Sequence, residues 1–269
     1  MIKSLLLYFR LISIQIRSQL HYRFPFLLDL IATGFITLLG FLSLVFVFQR
    51  FGHIRGWTLA EVAFLYGLVD SAFGLMDMVF SGFDPQAFGR KVRFGQFDQM
   101  MLKPVNLTLQ VFSSEFILRR LGRILEGTTI FIISIGLLDM TWTFGKLVYL
   151  PVVYFSTVAF FGGLFIIGAT VTFWTIESIE VVNIFTYGGT EMMSYPMHIY
   201  QDFLRRFFTY IIPAIFINYY PALYFLDKPD PFNMPEYAYL LSPIVGFGIL
   251  SIALAFWRVG IRHYQSTGT

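Results

Sequence analysis

The chain has 269 residues, of which 57% are hydrophobic and only 13% are charged. Soluble domains carry about 25% charged residues, so this composition excludes an ordinary soluble domain and indicates a membrane protein. The chain contains no cysteine, which excludes disulfide bonds, thiol catalysis and cysteine-ligated metal sites.

Residues 1–23 are predicted to form an amphipathic helix on the membrane surface. Lys3, Arg10 and Arg17 interrupt a series of leucine and isoleucine residues. The segment is too charged to span the hydrocarbon layer and too apolar to remain free in solution. A simple cytoplasmic lead-in to the first span is the alternative.

Two membrane spans are predicted next. The first runs from Pro25 to about Phe48, and the second covers residues 59–82. Thr58 and Glu61 stand three residues apart, which is the spacing of a capping box at the start of a helix.

The second span carries two aspartates, Asp70 and Asp77. They are seven residues apart and therefore lie near one face of the helix. A carboxylate at membrane depth is costly and must face protein or water. We expect structural hydrogen bonds from a neighbouring helix, and a proton or ion path is the alternative.

The most polar segment is a turn-rich loop at residues 83–107. Pro85, Gly95 and Pro104 are expected to divide it into one or two short helices. Basic and aromatic residues alternate within it: Phe88, Arg90, Lys91, Arg93, Phe94, Phe97 and Lys103. Such a mixture is typical of a protein-docking surface, so we interpret these seven residues as contacts with a partner. Binding of the cations to anionic lipid headgroups is the alternative.

The third helix is predicted to begin near Leu107, and residues 147–176 are uncharged and long enough for a fourth span. The third helix carries arginines that are expected to reach lipid headgroups: Arg119, Arg120 and Arg123. The fourth span contains glycines that suit close helix packing: Gly162, Gly163 and Gly168.

Residues 177–236 allow two topologies. Hydropathy alone makes residues 207–226 the fifth span, because they carry no charge. Alternatively, residues 178–196 span the membrane with Glu177 and Glu180 facing protein, and residues 196–236 form re-entrant segments on the far side. Broken helices at membrane depth are tolerated only where protein or water covers them. Residues 237–257 form the last span in both topologies.

The distribution of basic residues predicts the orientation. With a cytoplasmic N-terminus, 13 lysine and arginine residues lie on the cytoplasmic side and four on the other, while the side of Arg205 and Arg206 depends on the topology. The positive-inside rule therefore places both termini and the basic loop in the cytoplasm, and an even number of spans, six, follows. Since the cations follow membrane sidedness, the net charge of +3 does not indicate nucleic-acid binding.

Motifs for catalysis and metal binding are missing from the sequence. There is no phosphate-binding loop, and the four histidines lack the paired spacing of a metal site. An intramembrane aspartyl enzyme that uses Asp70 and Asp77 has no further support. The two halves of the chain do not resemble each other, unlike those of many secondary transporters. We therefore predict a protein that is not an enzyme and takes energy from a separate chain.

Several segments together resemble a known family. The run Gly95–Asn106, followed by Gln110 and Arg119–Arg123, resembles the membrane subunits of ATP-binding-cassette (ABC) exporters of the second type. It looks most like a bacterial subgroup of permeases with a G-x-[FL]-D-x-x-L-x-K-P loop. Features later in the chain agree: Phe173-Trp174 with Glu177, Tyr195-Pro196, and the tail from Phe256 to Gly268.

The resemblance implies an all-α, six-span permease that occupies residues 1–269 as one domain and forms a dimer with a second copy or a paralogue. It implies an interfacial N-terminal helix, a cytoplasmic coupling helix between spans two and three, and re-entrant helices before span six. It also implies a bacterial inner-membrane location and one nucleotide-binding ATPase per protomer. ATP and magnesium are then expected in that partner, with no cofactor in this chain.

We therefore expect the permease subunit of an ATP-driven exporter. A self-contained channel or scaffold without an ATPase partner is the alternative. The apolar, aromatic-rich composition suits lipids, drugs, peptides and glycans equally as substrates.

Overall fold

A computed structural model describes residues 2–175 and 180–266, and the regular structure within those ranges is helical. Twelve α-helices are described there: α1 Ile2–His21, α2 Arg23–Phe51, α3 Leu59–Val79, α4 Pro85–Arg93, α5 Gln96–Met101, α6 Leu107–Ser114, α7 Leu121–Leu137, α8 Phe144–Thr175, α9 Glu180–Met193, α10 Asp202–Tyr210, α11 Tyr219–Phe225 and α12 Ser242–His263. This all-helical architecture agrees with the predicted fold class.

Within residues 2–175 and 180–266, four helices are long and apolar enough to cross a membrane: α2, α3, α8 and α12. Helix α7 has 17 residues and the described part of α9 has 14, which is below the length of about 20 residues that usually spans a bilayer. The number of spans expected from charge parity, six, therefore stays a prediction.

Helix α3 is the centre of the fold. In its most apolar stretch 83% of the residues are buried, whereas in that of α2 only 6% are buried. Helices α7, α8 and α9 pack around α3. At Gly67 the backbones of α3 and α7 touch, since a Cβ atom there would lie 2.6 Å from the amide nitrogen of Phe131. Small residues permit this approach, which favours helix association in lipid.

The start of α3 is the predicted capping box. The Thr58 amide donates to Glu61 Oε2 at 2.8 Å, and the Glu61 amide donates to Thr58 Oγ1 at 3.4 Å. These two bonds satisfy amides that have no partner within the helix, and they fix where the second span begins.

Helices α8 and α12 form the second close pair. A Cβ atom at Gly246 would lie only 2.3 Å from the carbonyl oxygen of Ser156, so the two backbones are in contact. The glycines predicted to serve packing do so: Gly162 faces the Phe80 ring, Gly163 faces Ile249 and Leu250, and Gly168 faces Pro85 and Val182.

A helix begins at Leu107 as predicted, but it does not continue into the third span. Helix α6 ends at Ser114, Glu115 is extended, and a short 3₁₀ turn precedes α7. The hydroxyl groups of Ser113 and Ser114 bond backbone carbonyls of α6, a pattern that weakens helix interiors. The side chain of Gln19 bonds backbone groups that the break leaves without a helical partner. Its Nε2 donates to the Phe116 carbonyl, and its Oε1 accepts from the Leu118 backbone amide.

Residues 207–226 do not form the continuous fifth span that hydropathy alone predicts. Helix α10 ends at Tyr210, Pro213 follows, and only a 3₁₀ turn and the seven-residue α11 come after it. Proline has no amide hydrogen to donate to a helix, which accounts for the break. This result favours the alternative in which the segment before α12 is broken.

The loops form two groups, one at each end of the long helices. In one group α1 contacts α6, and Ser266 in the C-terminal tail donates to Asp98 in α5. In the other, Lys146 pairs with Asp227 at 2.7 Å, and Lys228 pairs with Glu61 at 2.9 Å. These are the two groups that the distribution of basic residues assigned to opposite membrane sides.

The contact at Gly246 gives a prediction with a control on the same helix. The Gly246→Ala substitution should lower stability by about 1–3 kcal/mol, because its methyl group overpacks the interface with Ser156. Gly248 has no atom within 4 Å of an added Cβ, so Gly248→Ala should leave the melting temperature of the detergent-solubilised chain unchanged or slightly raised. Equal melting temperatures for the two variants would contradict the described packing.

The Lys146–Asp227 pair predicts an acid-dependent loss of stability. The hydrogen bond from Lys146 lowers the pKa of Asp227 below its ordinary value. A carboxylate of this kind stabilises the fold above its unfolded pKa, about 3.9, and that contribution is lost as the pH falls through the lower folded value. Asp227 has a positive φ of 50°, which asparagine tolerates. Asp227→Asn should therefore flatten the acid limb of the melting-temperature profile, and an unchanged slope would rule out this contribution.

Candidate coupling segment

The coupling segment, residues 84–104, consists of two short helices with defined ends. The Ala87 amide donates to Asp84 Oδ1 at 2.8 Å, so Asp84 caps α4, and Pro85 occupies the first turn. Gly95 has a φ of 65°, the left-handed conformation that glycine adopts most readily, and it turns the chain from α4 into α5. Tyr187 in α9 donates to Asp84 Oδ2 at 3.2 Å.

A buried group of aromatic side chains fastens this segment to the long helices. This aromatic cluster comprises Phe83, Phe88, Phe97, Phe173, Trp257 and Tyr264. The ring centroids are 5.4 Å apart for Phe88 and Trp257, 5.1 Å for Phe97 and Phe173, and 4.9 Å for Phe97 and Tyr264. These separations lie in the favourable range for aromatic pairs. Both helices of the coupling segment therefore contact the ends of α8 and α12.

Hydrogen bonds and one ion pair reinforce the attachment. Trp257 Nε1 donates to Thr108 Oγ1 at 3.0 Å. Gln110 Nε2 donates to the carbonyl oxygens of Met100 at 3.0 Å and Val105 at 2.9 Å. Lys91 Nζ lies 2.6 Å from Glu115 Oε1. These contacts hold the chain between α5 and α7 against the same end of the protein.

The outer face of the coupling segment carries exposed cations beside exposed apolar side chains. Arg90 and Lys103 are exposed, Phe94 is 64% exposed and Leu102 is 86% exposed. Large apolar side chains at a polar end of the molecule are typical of a surface that another protein or a membrane covers.

Two ion pairs cross between α3 and the start of α7. Asp70 Oδ1 lies 2.5 Å from Arg123 Nη2 and 2.6 Å from its Nε, and the guanidinium stacks over the Phe73 ring at 4.5 Å. Asp77 Oδ2 lies 2.7 Å from Arg120 Nε. Both aspartates are buried. Each carboxylate at membrane depth is thus neutralised by an arginine from the adjacent helix.

Comparison with known families decides the class of the protein. A family model for ABC-2 family transporter proteins matches residues 35–268, which is most of the chain. The chain belongs to the ABC-2 transporter family. It is a transmembrane permease of an ABC transporter, and this class of membrane subunit is not itself catalytic. No curated protein and no solved structure matches the chain.

The residues predicted to dock a partner divide into two sets in this ABC-2 permease. On the outer surface lie Arg90, Arg93, Phe94 and Lys103. Phe88 and Phe97 are fully buried in the aromatic cluster, and Lys91 turns inward to Glu115. The anchor role expected for Phe88 and Phe97 does not fit their burial, because they offer no side-chain surface to a partner.

The predicted intramembrane carboxylates form ion pairs where they are described. Asp70 accepts a hydrogen bond from Arg123 of α7, the kind of contact that was expected, and Asp77 forms an ion pair with Arg120 in the short 3₁₀ turn before α7. Arg120 and Arg123 were expected to reach headgroups, and that prediction is wrong because they pair with the aspartates; Arg119 alone of the three is exposed. The remaining two positions cannot be compared in this way: Glu177 lies outside the described residues, and the side chain of Glu180 is not described.

The partners of the coupling segment do not follow from the sequence. Phe173 and Trp257 belong to the segments that carry the family resemblance, and nothing in the sequence marks Glu115 as a partner of Lys91. Among 33 phenylalanines no single position stands out, so composition carries no signal for the aromatic cluster. The arginine pairing was detectable, because two acids at membrane depth require cations.

The Asp70–Arg123 pair predicts an asymmetric effect of removing either partner. Arg123→Leu leaves Asp70 beside Glu126, which interacts with both members of the pair, and should destabilise the protein by about 3–5 kcal/mol. Asp70→Asn leaves Arg123 with Glu126 as a substitute partner, so the loss should be smaller, about 1–2 kcal/mol. Melting temperatures of the purified variants measure both effects, and a larger loss for Asp70→Asn would contradict the arrangement.

Proposed function

We propose that this permease is the membrane subunit of an ATP-driven exporter and that a separate nucleotide-binding ATPase docks on the coupling segment. The observation that carries this proposal is the aromatic cluster, which joins the coupling segment to α8 and α12. A surface segment fastened in this way cannot move without moving the helices beneath it.

The outer face of the segment suits a protein partner. Arg90 and Lys103 supply charge, and Phe94 and Leu102 supply exposed apolar contacts. Apolar anchors at the centre of an interface contribute most of the affinity, while surrounding charges steer association. Anionic headgroups would pair with the cations, but the headgroups themselves offer no apolar surface to Phe94 and Leu102.

The proposed transmission is a rigid-body movement. Closure of two ATPase subunits around ATP displaces the coupling segments of two permeases, and α8 and α12 follow through the aromatic cluster. Helix α3 is drawn along as well, because the short turn Ser81–Phe83 connects it to α4. For ATP to drive the change, it must bind the closed arrangement more tightly than the open one.

The remaining partners follow from the same proposal. Helix α2 leaves most of its apolar surface uncovered within this chain, so a second permease copy or a paralogue, together with lipid, covers it. The protein then spans a bacterial inner membrane six times, with both termini and the coupling segment in the cytoplasm. ATP and magnesium bind to the ATPase, and this chain needs no cofactor.

Reversing the exposed charges tests the docking surface. The double variant Arg90→Glu/Lys103→Glu, and separately Phe94→Ala, should each reduce co-purification of the ATPase and the ATPase rate of the complex at least about tenfold, because they alter the contact surface. Arg206→Glu, an exposed arginine in α10, is the matched control and should leave both unchanged.

The same preparation distinguishes the alternative function. Intact assembly and an unchanged ATPase rate in both coupling-segment variants would refute docking at this surface. Substrate flux in liposomes containing the purified chain without ATP or partner would support a self-contained channel.

A further inference from the structure

A cleft that the transport proposal does not use lies where α1 meets α2. Its walls are the end of α1, the first two turns of α2 and the residues around the short 3₁₀ turn before α7. Gln19, Tyr22, Phe26, Asp29 and Arg119 line it. Because α1 is amphipathic and α2 is an apolar, span-length helix, their junction belongs at the boundary between headgroups and hydrocarbon.

The wall of the cleft is held in place by α1. Gln15 Nε2 donates to the Ser114 carbonyl at 3.1 Å. Gln19 Nε2 donates to the Phe116 carbonyl, and Gln19 Oε1 accepts from the backbone amide of Leu118. Arg119 directly follows this fixed stretch, so its backbone position relative to α1 and α2 is determined.

Two opposite charges face the cleft without a bonding partner. Arg119 and Asp29 are both exposed, and within residues 2–175 and 180–266 neither side chain forms a hydrogen bond or an ion pair. They do not neutralise each other either. The cleft therefore presents a cation and an anion that are both available to a ligand.

The position of Asp29 favours a bound cationic group. It stands six residues into α2, about 9 Å along the helix axis at 1.5 Å per residue. A carboxylate exposed at that depth is costly unless a cation or water reaches it. Exposed leucine and isoleucine side chains surround it, among them Leu28 and Ile31, so the adjacent surface is suited to acyl chains.

We propose that this cleft binds the headgroup of a zwitterionic phospholipid that carries a primary ammonium group. The phosphate oxygens accept hydrogen bonds from Arg119, the ammonium donates to Asp29, and the acyl chains lie along the exposed face of α2. The single ligand thereby satisfies both charges and bridges α1, α2 and the start of α7. An anionic lipid would satisfy Arg119 and leave Asp29 unpaired.

Native mass spectrometry of the full-length chain in detergent tests the site. Phosphatidylethanolamine, phosphatidylglycerol and phosphatidylcholine with identical acyl chains are titrated separately. The ethanolamine lipid should bind most tightly. Arg119→Gln should weaken the ethanolamine and glycerol lipids about tenfold, whereas Asp29→Asn should weaken only the ethanolamine lipid by about that factor. Arg119→Lys should retain part of the affinity.

Two exposed residues far from the cleft serve as matched controls. Arg50→Gln, at the other end of α2, and Asp139→Asn, after α7, should change none of the affinities. Melting temperatures identify any variant that fails to fold. Equal binding of the ethanolamine and glycerol lipids with no effect of Asp29→Asn would overturn the ammonium site, and no effect of Arg119→Gln would overturn the phosphate site. The assay requires no ATPase, so its outcome is separate from that of the docking experiment.

Discussion

The contacts of Trp257 determine how the coupling segment relates to the rest of the protein. Its indole ring is fully buried against Phe88 of α4 and Phe173 of α8, and its nitrogen donates to Thr108 of α6. Aromatic pairs contribute about 0.5–1.5 kcal/mol each beyond the area they bury, so several such pairs resist separation. The coupling segment is thus part of the helical body rather than a flexible appendage.

Two backbone contacts divide that body into stiff units. Helices α3 and α7 meet at Gly67, and α8 and α12 meet at Gly246. Tightly packed interfaces move as units because they have little free volume in which to deform. The coupling segment reaches both units, through the turn after α3 and through the aromatic cluster. A force on its surface is therefore divided between them.

Local sequence signals predicted local structure well. The Thr58–Glu61 capping box, the short helices in the basic loop and the packing glycines of α8 all follow from rules that involve neighbouring residues. One prediction failed where the deciding partner is distant in sequence: Gln19 from α1 stabilises the break after Ser114. Of the two topologies left open for residues 177–236, the one from hydropathy alone does not hold, because averaging across Pro213 conceals the break in residues 207–226.

The candidate site was predictable in outline and not in its contacts. The basic loop was identifiable because it is polar in an apolar chain. The sequence does not show which phenylalanines point inward, because α4 and α5 are too short for a clear periodic pattern. Arg120 and Arg123 were assigned to lipid for a similar reason: their position along the chain indicates depth, and only the packing of α3 on α7 identifies their partners.

The Asp70–Arg123 pair has a consequence for biosynthesis. The two residues are 53 positions apart, and ribosomes add about 5–20 residues per second. Asp70 therefore leaves the ribosome roughly 3–10 seconds before its arginine does. During that interval α3 has no counter-charge from this chain, so the ion pair forms only after the start of α7 has been synthesised.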